Sequence, residues 1–130
     1  MFLNILIVGI GGFVGAIARY LISAGVQSIF SRSLFPFGTL AVNLLGCMIM
    51  GFLCAIALNW GVLTPRAKLL LMTGFLGALT TFSTFSNETF DLIKNSEMFL
   101  AFVNVGVQVV FGLFFIWFGY FLAYILKIVK

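Results

Sequence analysis

The sequence contains very little charge and no histidine. Only 8% of its 130 residues are charged and 63% are hydrophobic, and its mean hydropathy is +1.26. A soluble domain carries about 25% charged residues, so this composition excludes an ordinary soluble fold. The lack of histidine also removes imidazole metal ligation and histidine-based general base catalysis.

The few charges form no patch. Seven Lys and Arg stand against three Asp and Glu, which leaves a formal net charge of +4. So sparse a positive charge makes no basic stripe, which excludes a nucleic acid as partner. What remains is a small integral membrane protein whose surroundings are the lipid bilayer.

Long uncharged runs predict four membrane spans. A spanning helix needs about 20 residues, and the runs place spans at about 3–24, 37–59, 66–94 and 98–125. The prediction is a single all-α transmembrane domain over residues 1–130, with no separate soluble domain. The first run lacks a basic N-terminal region and a small-residue cleavage site, so it is not a typical secretion signal.

The positive charges are shared between the two sides of the membrane. The side with both termini and the middle loop carries Arg66, Lys68, Lys127 and Lys130. The other side carries Arg32 and Lys94, with Arg19 added if it lies near that end. So small a bias gives only a weak orientation preference and permits insertion in both directions.

The first two spans carry close-packing and polar signals. Gly11 and Gly15 form a GxxxG pattern, which lets helix backbones approach closely in lipid. Arg19 either extends to the headgroups or makes an aqueous vestibule attractive to anions. Asn43 is the one strongly polar side chain in the interior of the second span. Its amide either makes hydrogen bonds between helices or lines an anion path.

The third span is unusual for a lipid-facing helix. It contains Gly74 and Gly77, followed by the hydroxyl-rich run Thr80–Ser86. Hydroxyl groups repair backbone bonds where a helix is interrupted, and unwound carbonyls at such breaks hold ions in transporters. The pattern favours a break near the middle of this span. The alternative is a hydroxyl-rich packing seam without a break.

Aromatic, amide and acidic side chains complete the candidate site. Phe82 and Phe85 are three residues apart, so they share a helix face, and their positively polarised ring edges can meet an anion. Asn104 and Gln108 lie four residues apart on the fourth span and so share a helix face. They either make interhelical hydrogen bonds or form a polar track. Glu88 is either an interfacial charge or the flank of a pore mouth.

Three motifs in this order resemble the Fluc/CrcB family of fluoride channels over essentially the whole chain. They are Gly11-Gly12-Phe13-Val14-Gly15-Ala16-Ile17-Ala18-Arg19-Tyr20, Gly38-Thr39-Leu40-Ala41-Val42-Asn43 and Gly74-Phe75-Leu76-Gly77-Ala78-Leu79-Thr80-Thr81-Phe82-Ser83-Thr84-Phe85-Ser86. No single glycine or phenylalanine is diagnostic. The order of the motifs in so short a four-span chain is the signal.

The resemblance implies a function and an assembly. It implies a passive, fluoride-selective channel that exports fluoride from the cytoplasm, located as a multi-pass protein in a bacterial or archaeal plasma membrane. It implies an antiparallel, dual-topology homodimer with two pores. A structural Na⁺ at the dimer centre would be held by backbone carbonyls at positions matching Gly77 and Thr80.

The resemblance also implies site residues. The family's pore positions match Asn43, Phe82, Phe85, Ser83 and Thr84, and its vestibule arginine matches Arg19. The fourth span departs from the family, since its track positions carry Asn104, Gln108 and Gly112, of which the last has no side chain.

Three other functions compete with the channel. A proton-coupled exporter needs an ionisable carboxylate inside the membrane, and the first, second and fourth spans contain none. A non-transporting scaffold would explain the glycine faces but not the hydroxyl-rich run. An enzyme is least supported, because no pairing of nucleophile and base is visible.

Overall fold

The computed structural model describes residues 1–59, 61 and 63–126, and all regular secondary structure within them is helical. Lys127 and Lys130, which entered the charge count, lie outside the described residues. In chain order the elements are α1 (Phe2–Ile29), α2 (Phe37–Asn59), α3 (Pro65–Lys68), a π-helical stretch (Leu69–Leu76), α4 (Gly77–Leu79), α5 (Phe82–Lys94) and α6 (Met98–Ile125).

Four helical segments are long and apolar enough to cross a membrane. They are Phe2–Ile29, Phe37–Leu58, Pro65–Lys94 and Met98–Ile125, which confirms the four spans predicted from the uncharged runs. The first helix extends five residues further than the predicted end at residue 24. No proline or charged residue interrupts it there, and it closes where the Phe30 N–H donates to the Gln27 carbonyl.

Helix α1 packs against the π-helical stretch through its backbone. Gly11 and Gly15 are buried on α1. A Cβ added at Gly11 would collide with the Leu70 carbonyl oxygen, and one at Gly15 with the Phe75 carbonyl oxygen. Only glycine permits this approach, which confirms the close-packing interpretation of the GxxxG pattern.

Helices α2 and α6 make a second contact of the same kind. A Cβ at Gly51 of α2 would collide with the Ile116 carbonyl oxygen, and one at Gly119 of α6 with the Met48 carbonyl oxygen. Ala55 and Ala123 are completely buried beside this contact. The two backbone contacts fix α1 against the first half of the third span and α2 against α6.

The third span is not one continuous α-helix but contains a π-helical stretch and a short extended segment. Eight residues of π-helix precede a single turn of α4, which ends at Leu79. Thr80 (φ −85°, ψ 156°) and Thr81 (φ −150°, ψ 120°) are extended. The Thr81 hydroxyl then accepts a 3.2 Å hydrogen bond from the Thr84 N–H, which is the usual cap at the start of a helix. Apolar periodicity carries no mark of the π-helix, so the sequence did not predict it.

Candidate functional site

Asn43 binds the extended backbone at Thr81 through both ends of its amide. The Thr81 N–H donates to Asn43 Oδ1 at 2.9 Å. Asn43 Nδ2 donates to the Thr81 carbonyl at 3.2 Å and to Gln108 Oε1 at 3.0 Å. One side chain of α2 therefore holds the extended segment and connects it to α6.

A cavity of about 330 Å³ opens beside this network. Its polar lining comes from Asn43, Thr80, Thr81 and Gln108, and its aromatic lining from Phe82 and Phe85. We call it the central cavity. The centroids of the two phenylalanine rings are 5.7 Å apart with their planes inclined at 56°. Four residues predicted from the sequence (Asn43, Phe82, Phe85 and Gln108) thus meet at one site.

A second cavity, of about 370 Å³, lies on the side facing α1. We call it the arginine cavity, because Arg19 lines it together with Ser23, Gln27, Thr39, Thr81 and Thr84. Thr81 lines both this cavity and the central one. The structure therefore brings the predicted vestibule residue Arg19 and the predicted pore residue Thr84 to the same space.

A third cavity, of about 260 Å³, is bordered by acidic groups. Glu88, Asp91, Asn95, Thr39 and Gln27 are among its lining residues, and we call it the acidic cavity. The Thr39 hydroxyl donates to Glu88 Oε1 at 2.7 Å, while Glu88 Oε2 is buried without a hydrogen-bond partner among the described residues. Thr39 and Gln27 also line the arginine cavity, so the acidic and arginine cavities are neighbours.

The predicted site residues Ser83 and Asn104 line none of the three cavities. Ser83 is exposed, and its hydroxyl is 3.4 Å from that of Thr81. Asn104 is completely buried at the seam between α5 and α6, where its Nδ2 donates to the Thr89 hydroxyl at 2.9 Å. The predicted polar track is therefore divided, with Gln108 at the cavity and Asn104 at a helix contact.

The carbonyls of Gly77 and Thr80 lose their usual helical donors. In an α-helix they would accept from the N–H groups four residues later, those of Thr81 and Thr84. The Thr81 N–H instead donates to Asn43 Oδ1, and the Thr84 N–H donates to the Thr81 hydroxyl. Two carbonyl oxygens three residues apart in the chain are thereby released, and oxygen donors of this kind suit hard cations.

Gln27 and Thr39 were missed as individual site residues. Gln27 Oε1 accepts from the Gly38 N–H at 3.1 Å, and Nε2 donates to the Phe35 carbonyl at 3.5 Å, so this side chain holds the start of α2. Two sequence features could have indicated them. Gln27 is an amide close to the end of the apolar first span, and the Thr39 hydroxyl lies within the second quoted motif.

The chain is similar to known proteins over most of its length. The profile of the family described as "CrcB-like protein, Camphor Resistance (CrcB)" matches residues 6–120. A protein of Chlorobaculum tepidum is 46% identical over 120 residues, covering 92% of this chain and 94% of its own length. One of Methanocaldococcus jannaschii is 48% identical over 123 residues, covering 95% and 96%.

Both relatives carry the name "Fluoride-specific ion channel FluC", as does one of Shewanella woodyi that is 45% identical over 116 residues, covering 89% of this chain and 92% of its own length. The match spans all four apolar helices and every cavity described above. The protein is therefore a multi-pass protein of the cell membrane, and it belongs to the CrcB-like family.

Proposed function

We propose that the protein is a passive, fluoride-selective channel that lets fluoride leave the cytoplasm. The observation that carries this proposal is the central cavity, where amide and hydroxyl groups meet two phenylalanine rings, in a chain closely similar to proteins named fluoride-specific ion channels. Those relatives are transporters, so the prediction that this protein is not an enzyme is confirmed at the level of its family.

The chemistry of the cavities suits a small, strongly hydrated anion. A pore must replace the ion's water with donors that bind well enough for entry and weakly enough for release. Neutral amides, the hydroxyl of Thr84 and the ring edges of Phe82 and Phe85 meet that need without a lysine that would trap the ion. Ser83 and Asn43 belong to the same proposed path. Arg19 would raise the local anion concentration in its cavity.

The start of α5 adds a fixed positive field. This helix begins at Phe82, which lines the central cavity, and the first N–H groups of a helix carry partial positive charge. The C-terminal end of α4, with its released carbonyls, lies two residues earlier in the chain. The start of α5 therefore favours an anion and the end of α4 favours a cation, and the two ends are close in the chain. Transporters with discontinuous helices use helix ends in the same way.

The released carbonyls support a structural Na⁺ held by Gly77 and Thr80. Two oxygens from one chain are few for a hard cation, which takes about six ligands, and a second copy that contributes an equal pair would raise the number of carbonyl ligands to four. This need supports a homodimer. The weak charge bias permits the two copies to insert in opposite directions, and each copy would then bring its own central cavity, giving two pores. The ion would supply a fixed positive charge between them.

Liposome efflux tests the function directly. Purified protein would be reconstituted in vesicles loaded with potassium fluoride, and release would be followed with a fluoride electrode after valinomycin is added. Vesicles loaded with chloride are run in parallel. Rapid fluoride release without chloride release is expected. Release of both anions at similar rates would contradict selectivity, and fluoride release only under an imposed pH gradient would favour a proton-coupled exporter.

Exchange of Na⁺ tests the cation separately. We expect that dialysis into a buffer of N-methylglucamine, a cation too large for two carbonyl pairs, lowers the dimer fraction and the melting temperature in detergent. Restoring Na⁺ should reverse both effects. A dimer indifferent to Na⁺ at equal ionic strength would contradict the site at Gly77 and Thr80.

A further inference from the structure

We infer that Gly46 is a positioning residue whose missing side chain fixes Thr80, the residue that carries one of the two proposed carbonyl ligands of Na⁺. The inference rests on the proposed function and adds a residue of α2 to the proposed cation site. Gly46 is buried on α2, three residues after Asn43, and all three residues line the central cavity.

The Thr80 methyl group occupies the space that a side chain at position 46 would need. A Cβ added at Gly46 would collide with Thr80 Cγ2, which is a side-chain atom. The same Cβ would lie 3.7 Å from Thr80 Cβ and 3.9 Å from Leu79 Cδ2, and both are ordinary contact distances. The conflict is therefore confined to one methyl group. Gly51 of the same helix differs, because there the obstacle is the backbone carbonyl of Ile116.

The Thr80 hydroxyl is engaged while its methyl group faces Gly46. The hydroxyl donates to the Leu76 carbonyl at 2.9 Å, and the Thr80 N–H donates to the same oxygen at 3.1 Å. These two bonds close the last turn of α4 before the extended segment. Methyl and hydroxyl are carried by one carbon and turn together between staggered positions. A rotation that moves the methyl group away from Gly46 therefore also takes the hydroxyl off the Leu76 carbonyl.

The Thr80 carbonyl belongs to the same peptide group as the Thr81 N–H. In a trans peptide these two groups point in opposite directions. Because the N–H points at Asn43 Oδ1, the Thr80 carbonyl points away from Asn43. Asn43 thus orients the carbonyl, and Gly46, on the same face of α2, admits the side chain. Two residues of α2 together determine where a proposed Na⁺ ligand lies.

A side chain at position 46 would disturb this arrangement in one of two ways. Rotation of the Thr80 side chain would free its hydroxyl from Leu76, and displacement of the Thr80 backbone would move the carbonyl. Overpacked contacts are relieved by such changes of rotamer or such backbone shifts. Either change weakens the cation site, so a higher Na⁺ concentration would be needed to stabilise the dimer.

Gly46→Ala, Thr80→Ser and the double variant test the inference. Serine keeps the hydroxyl that bonds Leu76 and lacks the methyl group, so an alanine at position 46 fits beside it. The measurement is the melting temperature of the purified dimer against Na⁺ concentration, with N-methylglucamine keeping the ionic strength constant. Gly46→Ala should raise the half-saturating Na⁺ concentration about tenfold, which is the effect of one overpacked contact. Thr80→Ser and the double variant should stay near the wild-type value.

Two other glycines provide matched controls. A Cβ at Gly106 of α6 would meet no atom of the described residues within 4 Å, so Gly106→Ala should leave the response to Na⁺ unchanged. Gly51→Ala should lower the melting temperature equally at all Na⁺ concentrations, since it disturbs only the contact of α2 with α6. Thr80→Ser should not restore the stability of Gly51→Ala, because the obstacle there is the Ile116 backbone.

The possible failures are distinguishable. An unchanged half-saturating Na⁺ concentration in Gly46→Ala would overturn the inference, and so would a double variant that responds no better than Gly46→Ala. If Gly46→Ala does not assemble, the double variant carries the test, since it should assemble and respond to Na⁺ as the wild-type protein does. A wild-type dimer whose melting temperature is independent of Na⁺ would instead overturn the proposed cation site itself.

Discussion

The central and acidic cavities differ in how their polar groups are used. In the central cavity neutral amides meet two aromatic rings, and a nitrogen remains free to donate. In the acidic cavity the Thr39 hydroxyl is already given to Glu88, and the atom left without a partner is a carboxylate oxygen. The first environment favours an anion and the second repels one, although each shares lining residues with the arginine cavity.

This difference supports a division of roles in the proposed channel. Selection would take place in the central cavity, where an amide nitrogen is free to donate, and the charge of the acidic cavity would set how readily an anion arrives. Arg19, which lines the arginine cavity, would offset part of the repulsion from Glu88. Substitutions should therefore have large effects in the central cavity and small effects in the acidic one.

The largest effect is expected for Asn43→Asp. The introduced carboxylate still accepts from the Thr81 N–H, but its second oxygen faces the Thr81 carbonyl and Gln108 Oε1. Gln108 must then turn its nitrogen towards the carboxylate, and the cavity gains a negative charge. Fluoride efflux should fall by more than about a hundredfold. Asn4→Asp, on an exposed position of α1, controls for added charge, and normal flux in Asn43→Asp would contradict the central cavity as the path.

A smaller effect is expected for Phe85→Ile. Phe85 lines the central cavity and is half-buried, so the substitution replaces a positive ring edge with alkyl groups. Fluoride efflux should fall about tenfold. Phe82→Ile should act in the same direction but less, since that ring is 80% exposed.

Phe90→Ile is the matched control for the aromatic rings. This residue lies on the same helix, is 58% exposed and lies beneath Lys94, whose Nζ is 5.7 Å from the ring centroid. Its flux should remain at the wild-type value. Unchanged fluoride flux in both Phe82→Ile and Phe85→Ile would contradict the proposal that the ring edges contact fluoride during conduction.

The smallest effect is expected for Glu88→Gln in the acidic cavity. The amide oxygen still accepts from Thr39, and the negative charge is removed, so initial fluoride efflux should rise about two- to fivefold at low ionic strength and less at high salt. Glu97→Gln is the control, because it removes a carboxylate that lines none of the three cavities. A fall in fluoride flux for Glu88→Gln would mean that conduction needs the negative charge of Glu88. It would contradict the proposal that the acidic cavity repels the anion.

The sequence predicted the spans well because composition and length decide them. It also predicted that Asn43, Phe82, Phe85 and Gln108 are functional candidates, since polar or clustered aromatic residues stand out in an apolar chain. It did not predict the π-helical stretch, because that stretch is as apolar as its neighbours. Nor did it separate Asn104 from Gln108, since their shared helix face says nothing of what each side chain meets.

The extended backbone at Thr81 also could not be anticipated in detail. The hydroxyl-rich run and the glycines marked the region, but the choice of Thr81 as the partner of Asn43 depends on how α2 lies against the third span. Such contacts between residues 38 positions apart are set by packing. Spacing within one helix does not encode them.

The glycine contacts of α1 with Leu70 and Phe75, and of α2 with α6, have a mechanical consequence. At these glycines the two backbones are in direct contact, and no flexible side chain lies between them that could change its conformation. Each contact therefore prevents one helix from sliding along the other. Both contacts are therefore stiff, and the spacing of the paired helices is set when the protein folds. In the proposed channel, fixed spacing would discriminate between anions by size and would require no movement of the helices for each ion that passes.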